Sequence, residues 1–444
     1  MATSESTTDL KKLMLNLLES DLDSSSNIYH VGLSRSNDAL DIQGLASSTL
    51  RQQLDVRHEL QSLKTVSRAS MVVPTIQWVG NRTYDMWDDN NASLTNFYVL
   101  NSQREVFVCI EQSKTDTGTV NVSTVEPTSD AAANQAKTFF LADGYKWRYL
   151  YKMTNQDFSN FKSFKYMPVK KITGSTTITE EVRSLALQDS AVEGEIIGIA
   201  IDSAGSGYTV EPAIVISGNG RDAVFSADVN NGSITRIRVE SDGSGIFLHG
   251  TGYDFAQVRP SYGNASIRAI IAPKGGLSAD ARRTLFSDQL MFQLDFENTE
   301  GDTILAQNEF RTVGLFRNLT KYGSDSALTA NTVQAMNSFT VSSPSGQLVE
   351  DEIITNQAGT ATAYVYYHDL SGNTVYYFQN DSTGFGTFTT GQVIVGDADQ
   401  CTIDAINNPA VDRYSGELLY INNIDAITRD TNQTEDLRIV LELD

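Results

Sequence analysis

The chain has 444 residues and a formal net charge of −22, with 40% apolar residues, room for about two to four domains that each bury a core. The acidic balance, with lysines and arginines scattered and only Lys162, Lys165, Lys170 and Lys171 grouped, argues against a phosphate-backbone binder. No apolar run approaches the roughly 20 residues that span a bilayer, so neither nucleic acid nor membrane is expected as a partner.

Thirty-one glycines against eight prolines, with 18 tyrosines and 19 phenylalanines, favour a β-rich fold with many tight turns. The first eight residues are expected to be disordered and carry no secretory pattern. Leu10, Leu13, Met14, Leu17 and Leu18 then fall at helical spacing, predicting a helix from Asp9 to Glu19 with Thr7, Thr8 or Asp9 as its cap. Its apolar stripe either packs on the chain's own sheet or docks on a partner. Ile28 to Leu33 reads as the first strand. Residues 37 to 66, with Leu50, Leu54, Leu60 and Leu63, read as a helical insertion. Strands are predicted at Met71 to Trp78, Phe97 to Leu100, Val106 to Gln112 and Lys146 to Met153. Between them, Tyr84 to Asn91 brings three carboxylates together, a grouping that could hold a hard cation. It lacks the spacing and glycine of an EF-hand loop and reads as an exposed polar turn, with Trp87 as a packing or interface residue.

Residues 195 to 276 hold an internal repeat. Ile196, Ile199, Ile201 and Gly205-Ser206-Gly207 recur as Ile234, Ile237, Val239 and Gly243-Ser244-Gly245, and Gly-x-Gly-Tyr occurs at Gly205 to Tyr208 and again at Gly250 to Tyr253. No helix is expected after these glycines and no Gly-Lys-Ser/Thr is present, so the segment reads as a β-repeat insertion and not as a nucleotide loop. Leu277 to Arg283 is a short helix or turn, followed by strands at Gln289 to Phe296 and Thr312 to Phe316. A second insertion runs from 338 to 406, with a hairpin formed by Thr362 to Tyr367 and Thr374 to Phe378. Its aromatics read as cross-strand packing, with a sugar-binding or partner-facing strip as the alternative. The last thirty-two residues, Arg413 to Asp444, give two largely buried strands joined by a polar connection.

Titratable constellations are sparse. His30, His58, His249 and His368 stand apart from one another and from both cysteines, and HExxH, CxxC and Gly-x-Ser-x-Gly are absent. Carboxylate pairs that converge only in space stay open. Cys109, in an apolar strand, reads as a buried thiol, with a Cys109 to Cys401 disulfide as the alternative. No cofactor, metal or catalytic role is expected, and the residues by themselves give only an acidic, β-rich multidomain protein.

Four stretches carry a resemblance. Tyr414-Ser415-Gly416-Glu417-Leu418-Leu419-Tyr420-Ile421-Asn422-Asn423, followed by Gln433-Thr434-Glu435-Asp436, resembles the C-terminal signature of a phage baseplate wedge family, the gene product eight subunits of T-even-like contractile-tailed bacteriophages. Asp143-Gly144-Tyr145-Lys146-Trp147-Arg148-Tyr149-Leu150 resembles the family's Asp-Gly-Tyr-x-Trp-x-Tyr-Leu segment. Val73-Pro74, Trp78 and Thr83-Tyr84 with Val106 to Ile110, and Leu13 to Asn16 with Ile28 to Ser36, match in the same order. The resemblance covers roughly residues 10 to 170, 277 to 325 and 410 to 444. It implies an antiparallel β-sandwich core with helix-bearing loops, to which the residues themselves add two β-rich insertion domains. The core spans 1–194, 277–337 and 407–444, and the insertions 195–276 and 338–406. It also implies a homodimer bound to other wedge proteins, assembled in the host cytoplasm into the tail baseplate of the virion. A tail-fibre or adhesin-like glycan-binding protein is the alternative.

Overall fold

The computed structural model describes residues 8–23, 26–35, 43–45, 50–66, 68–88, 95–129, 138–172, 174–244, 246–296, 309–428 and 435–442. Strands hold 44% of the chain and helices 11%, and the fold is mainly β with antiparallel sheets, as the composition predicts. Two compact units emerge, one formed by Met1–Ala69 with Gln289–Asp444 and the other by Ser70–Asp288. Of the residues 1 to 8 expected to be disordered, Thr8 instead begins a helix and residues 1–7 lie outside the described residues, as do the polar connection 429–434 and Gly245 of the second repeat.

The first unit is built on a six-stranded sheet in the order Gln43–Leu45, Glu417–Thr428, Glu309–Arg317, Tyr29–Ser34, Leu60–Thr65, Thr332–Gln334. Tyr29–Ser34 lies in its interior with all six residues buried. Gly32 sits opposite Gly314 across the ladder, and the Phe316 ring lies over the pair. A Cβ at Gly32 would come within 2.5 Å of that ring, so glycine is required by contact there and not by a turn.

The helical insertion expected over 37 to 66 is realised only as Leu50–His58. Leu60 and Leu63 belong instead to a strand, whose pairing to Tyr29–Ser34 on one side and Thr332–Gln334 on the other overrides their helical spacing. A strand buried on both faces shows no alternation, so periodicity alone cannot separate it from a buried helix. Residues 36–42 and 46–49 of that stretch lie outside the described residues.

The N-terminal helix spans Thr8–Asp23. Its buried side is Leu15, 1% exposed, whereas Leu10, Leu13, Met14 and Leu17 are 45–61% exposed. Leu18, the fifth residue of the stripe, is half-buried.

The second insertion closes on itself. Its strands run in the order Asn337–Ser342, Thr374–Phe378, Thr362–Asp369, Ile353–Asn356, Val393–Val395, Gln400–Asn407, and the last pairs with the first to form a six-stranded barrel. Closure leaves no free edge. Phe339, Val365, Val375, Tyr377, Phe388, Ile394 and Ile403 fill it, with Phe339 and Tyr377 stacked at 4.0 Å. The aromatics are thus mostly packing residues: Tyr366 and Phe378 are buried, while Tyr364, Tyr367 and Tyr376 are half-buried.

The second unit carries a four-stranded sheet in the order Tyr98–Leu100, Glu105–Glu111, Lys146–Lys152, Thr138–Phe140. Glu105–Glu111 alternates cleanly, sending Val106, Val108 and Ile110 into one apolar core and Phe107 and Cys109 into an aromatic one on the opposite face. Cys109 and Cys401 are both free and buried.

The acidic loop is not the exposed turn that its composition suggests. Tyr84 and Trp87 are fully buried, the Trp87 indole N–H donates to Thr284 O at 2.9 Å, and Asp88 is 8% exposed. Arg268 neutralises Asp88 through two hydrogen bonds of 2.7 and 3.0 Å. The partner lies 180 residues away in sequence, which is why the local run reads as a solvated turn. Asp89, Asn90 and Asn91 lie outside the described residues.

The repeat region pairs its strands in a nest. Ile196–Ser203 pairs with Ser266–Ile271, Ile214–Gly218 with Ala256–Pro260, Arg221–Ala223 with His249–Thr251, and Phe225–Asn230 with Ser233–Val239. The first strand of each repeat therefore pairs with the last strand of the other, so neither repeat is complete alone. The two Gly-x-Gly-Tyr turns are reciprocal as well. Tyr208 lies on Gly263 and Tyr253 on Gly220, where an added Cβ would come within 2.4 and 2.3 Å of the rings. Ile196 and Ile199 face the repeat's own core, while Ile197 and Ile270 enter the core shared with the four-stranded sheet.

Candidate functional site

The Asp-Gly-Tyr-x-Trp-x-Tyr segment begins at a turn. The Asp143 carboxylate accepts hydrogen bonds from Ser123 Oγ, Thr124 N and Val125 N at 2.8–3.1 Å. Gly144 has φ +84°, and a Cβ there would lie 2.7 Å from Ser113 Oγ, so glycine is needed on both counts. Extended backbone then places Tyr145, Trp147 and Tyr149 on one face. Tyr84 completes the cluster, edge-on to Trp147 at 5.5 Å, while Tyr145 stacks on Trp147 at 5.9 Å. All four are at most 1% exposed.

Two phenols of this cluster turn to the backbone. Tyr84 Oη accepts from Val79 N at 2.7 Å, and Tyr145 Oη donates to Asn121 O at 2.7 Å. Burial pushes the Tyr145 and Tyr149 phenols up to about 12. Trp78 is half-buried, and its indole N–H donates to Ser123 Oγ at 3.3 Å. Trp78, Tyr84, Gly144, Tyr145, Trp147 and Tyr149 therefore form one structural unit, although they come from two sequence stretches. In the Trp78 to Trp87 loop, Val79 and residues 81–83 are the exposed part.

The C-terminal motif is held differently. Gly416 has φ +58°, and a Cβ there would lie 2.4 Å from Arg317 O. Arg57, 6% exposed, donates to Arg413 O at 2.6 Å, Ser415 O at 2.7 Å and Gly416 O at 3.3 Å. Arg413 returns a hydrogen bond to His58 O at 3.1 Å. Glu417 pairs across the ladder with Arg317 at 2.9 Å, and Tyr420 is buried opposite Leu315. Tyr414 is 52% exposed, its ring 5.7 Å from that of His58. Asn423 and Glu435 are placed only by backbone, opposite Thr312 and Phe296. Arg57 carries no signal in the sequence that marks it as the clamp of a turn over 350 residues away.

The other face of Lys146–Lys152 buries charge. Arg148, 1% exposed, donates to Glu195 Oε2 and to Thr138 Oγ1, both at 3.0 Å. Lys146 is fully buried, with Nζ 3.7 Å from the centroid of the Phe247 ring and 5.2 Å from that of Phe140. His249 Nδ1 lies 2.8 Å from Ile196 O, while His249 Nε2 and Lys146 Nζ are buried without a hydrogen-bond partner among the described residues. Burial lowers the Lys146 ammonium to about 8. Burial, then the Lys146 charge, lowers the His249 imidazole to about 4.

Among the described residues no three His, Cys, Asp or Glu side chains converge as a metal site, and no helix is long and apolar enough to cross a membrane. What the surface does offer is the stripe Leu10, Leu13, Met14 and Leu17 on the N-terminal helix. No protein-family model matches the sequence, and no curated protein matches it either.

Proposed function

We propose that this chain is a structural subunit of a contractile-tail baseplate wedge, acting as a homodimer that binds other wedge proteins, and not an enzyme. The observation that carries the assembly reading is the apolar stripe on Thr8–Asp23, four large side chains at helical spacing that face solvent. The rigid supports behind it, sheets and a closed barrel, suit a part that presents contact surfaces at fixed angles. The buried motif residues serve as framework in this reading, and the contacts fall to the helix and to exposed loops such as Val79 with residues 81–83. Rearrangement on tail contraction is then a change of packing against neighbours. The glycan-binding alternative needs exposed aromatics over Tyr364 to Phe378, where Tyr366, Tyr377 and Phe378 are buried and Tyr364, Tyr367 and Tyr376 half-buried.

The test replaces Leu13 and Leu17 by Asp together. Both are more than half exposed, so the purified variant is expected to unfold within about 0.5 kcal/mol of wild type. Light scattering should show a dimer for wild type and a monomer for the variant, and complementation of a phage lacking the wild-type gene should yield tails without the variant chain. A variant that dimerises and enters tails like wild type would remove the helix from the assembly surface.

A further inference from the structure

The buried charges around Lys146 and His249 have no part in the assembly reading. Three cations, Lys146, Arg148 and Arg236, meet two carboxylates, and both carboxylates are already engaged. Glu195 binds Arg148 at 3.0 Å and Glu111 binds Arg236 at 2.6 Å. Lys146 is left to the faces of Phe247 and Phe140. His249 completes the group as a neutral ring, with Nδ1–H donating to Ile196 O and Nε2 buried and unpartnered.

We propose that His249 is a proton-operated latch: on gaining a proton it releases the segment from Phe247 to Tyr253 from the Lys146–Lys152 strand and from residues 193–196. A proton on Nε2 adds a second positive charge beside Lys146, where Nε2 is buried with no hydrogen-bond partner among the described residues. Of the charged neighbours, Glu195 favours that proton but is already bound to Arg148. On the paired strand Arg221 and Asp222 are 80% and 74% exposed and pair with each other. Lys114 stands beside Arg236 and Glu111 and adds positive charge. Glu193 and Glu240 hold the segment through backbone carbonyls, accepting from Gly252 N at 3.0 Å and Leu248 N at 2.8 Å.

The sign follows from where the protons bind. The closed form takes up the His249 proton only near pH 4, whereas a released imidazole binds it at its ordinary 6.5, so release is favoured as pH falls through that window and is unaffected above it. Lys146 acts in a different range. Released, it holds its proton up to its ordinary 10.5 and closed only to about 8, so its contribution changes between those values and is flat below them. The acid response therefore belongs to His249.

Hydrogen–deuterium exchange of the full chain, read by mass spectrometry at pH 7.5 and pH 4.5 and corrected for the intrinsic pH dependence of exchange, tests the latch. The reporters are the amides of Leu248, Gly252 and Tyr253, which donate to Glu240, Glu193 and Gly194. Wild type should exchange on the order of tenfold to a hundredfold faster at the lower pH. His249→Asn, whose amide can still reach Ile196 O, should lose that acceleration, and Lys146→Met, which removes the facing charge, should reduce it. Absence of acceleration in wild type, or equal acceleration in His249→Asn, would overturn the proposal. Should His249→Asn not fold, Lys146→Met decides alone, since an undiminished acid response in that variant also overturns it.

Discussion

Arg57 shows how much a single buried side chain can organise. Its guanidinium meets three carbonyls of the 413–416 turn, and burial lowers its pKa from the ordinary arginine value. Truncation would strand those carbonyls out of water, at a cost of about 1–3 kcal/mol for each that finds no water. We expect Arg57→Ala to destabilise the chain by roughly 2–4 kcal/mol in urea unfolding, with the loss concentrated in the first unit. A change under about 0.5 kcal/mol would mean that water replaces the clamp. The motif Tyr414 to Asn423 was legible in the sequence as a unit, but the residue that holds it was not. Arg57 sits in a polar helical stretch, and only the tertiary fold brings it to the turn. Asp88 with Arg268, and Lys146 with Phe247, escaped the sequence for the same reason, since charge pairing over long separations leaves no local pattern.

At the scale of elements, alternation and turn chemistry did most of the prediction. Gln289–Phe296 falls where the sequence places it, and so does the hairpin of Thr362–Asp369 with Thr374–Phe378, whose burial largely alternates along each strand. Leu60 and Leu63 went to the wrong element because a doubly covered strand has no period to read. The repeat was visible as a pattern, but the exchange of its strands was not, since similarity between two segments does not say which strand pairs with which. That exchange makes its glycines unequal. Gly263 has φ +88° and also carries the Tyr208 ring, whereas Gly220 meets Tyr253 without a positive φ. Gly263→Ala should therefore cost more than Gly220→Ala, by about 1 kcal/mol of left-handed strain, measured as the difference in thermal unfolding between the two variants. Equal losses would show that ring contact alone sets the cost.

For the whole molecule, the mainly β class was legible from composition, while the division into two units was not, because the first is assembled from both ends of the chain. The barrel runs from Asn337 to Asn407. The repeat region shares Ile197 and Ile270 with the core of its own unit, so it is anchored by packing as well as by its two chain connections. The net charge of −22 keeps the surface self-repelling at neutral pH, and the exposed stripe of Thr8–Asp23 stands out against it.

The most direct test of the wedge assignment is immunogold electron microscopy of intact and disrupted virions, with an antibody against residues 195–276. The account predicts label confined to the distal plate of the tail, at the symmetry of the baseplate. Label along the fibres, or disrupted particles that contain none of the chain, would contradict it.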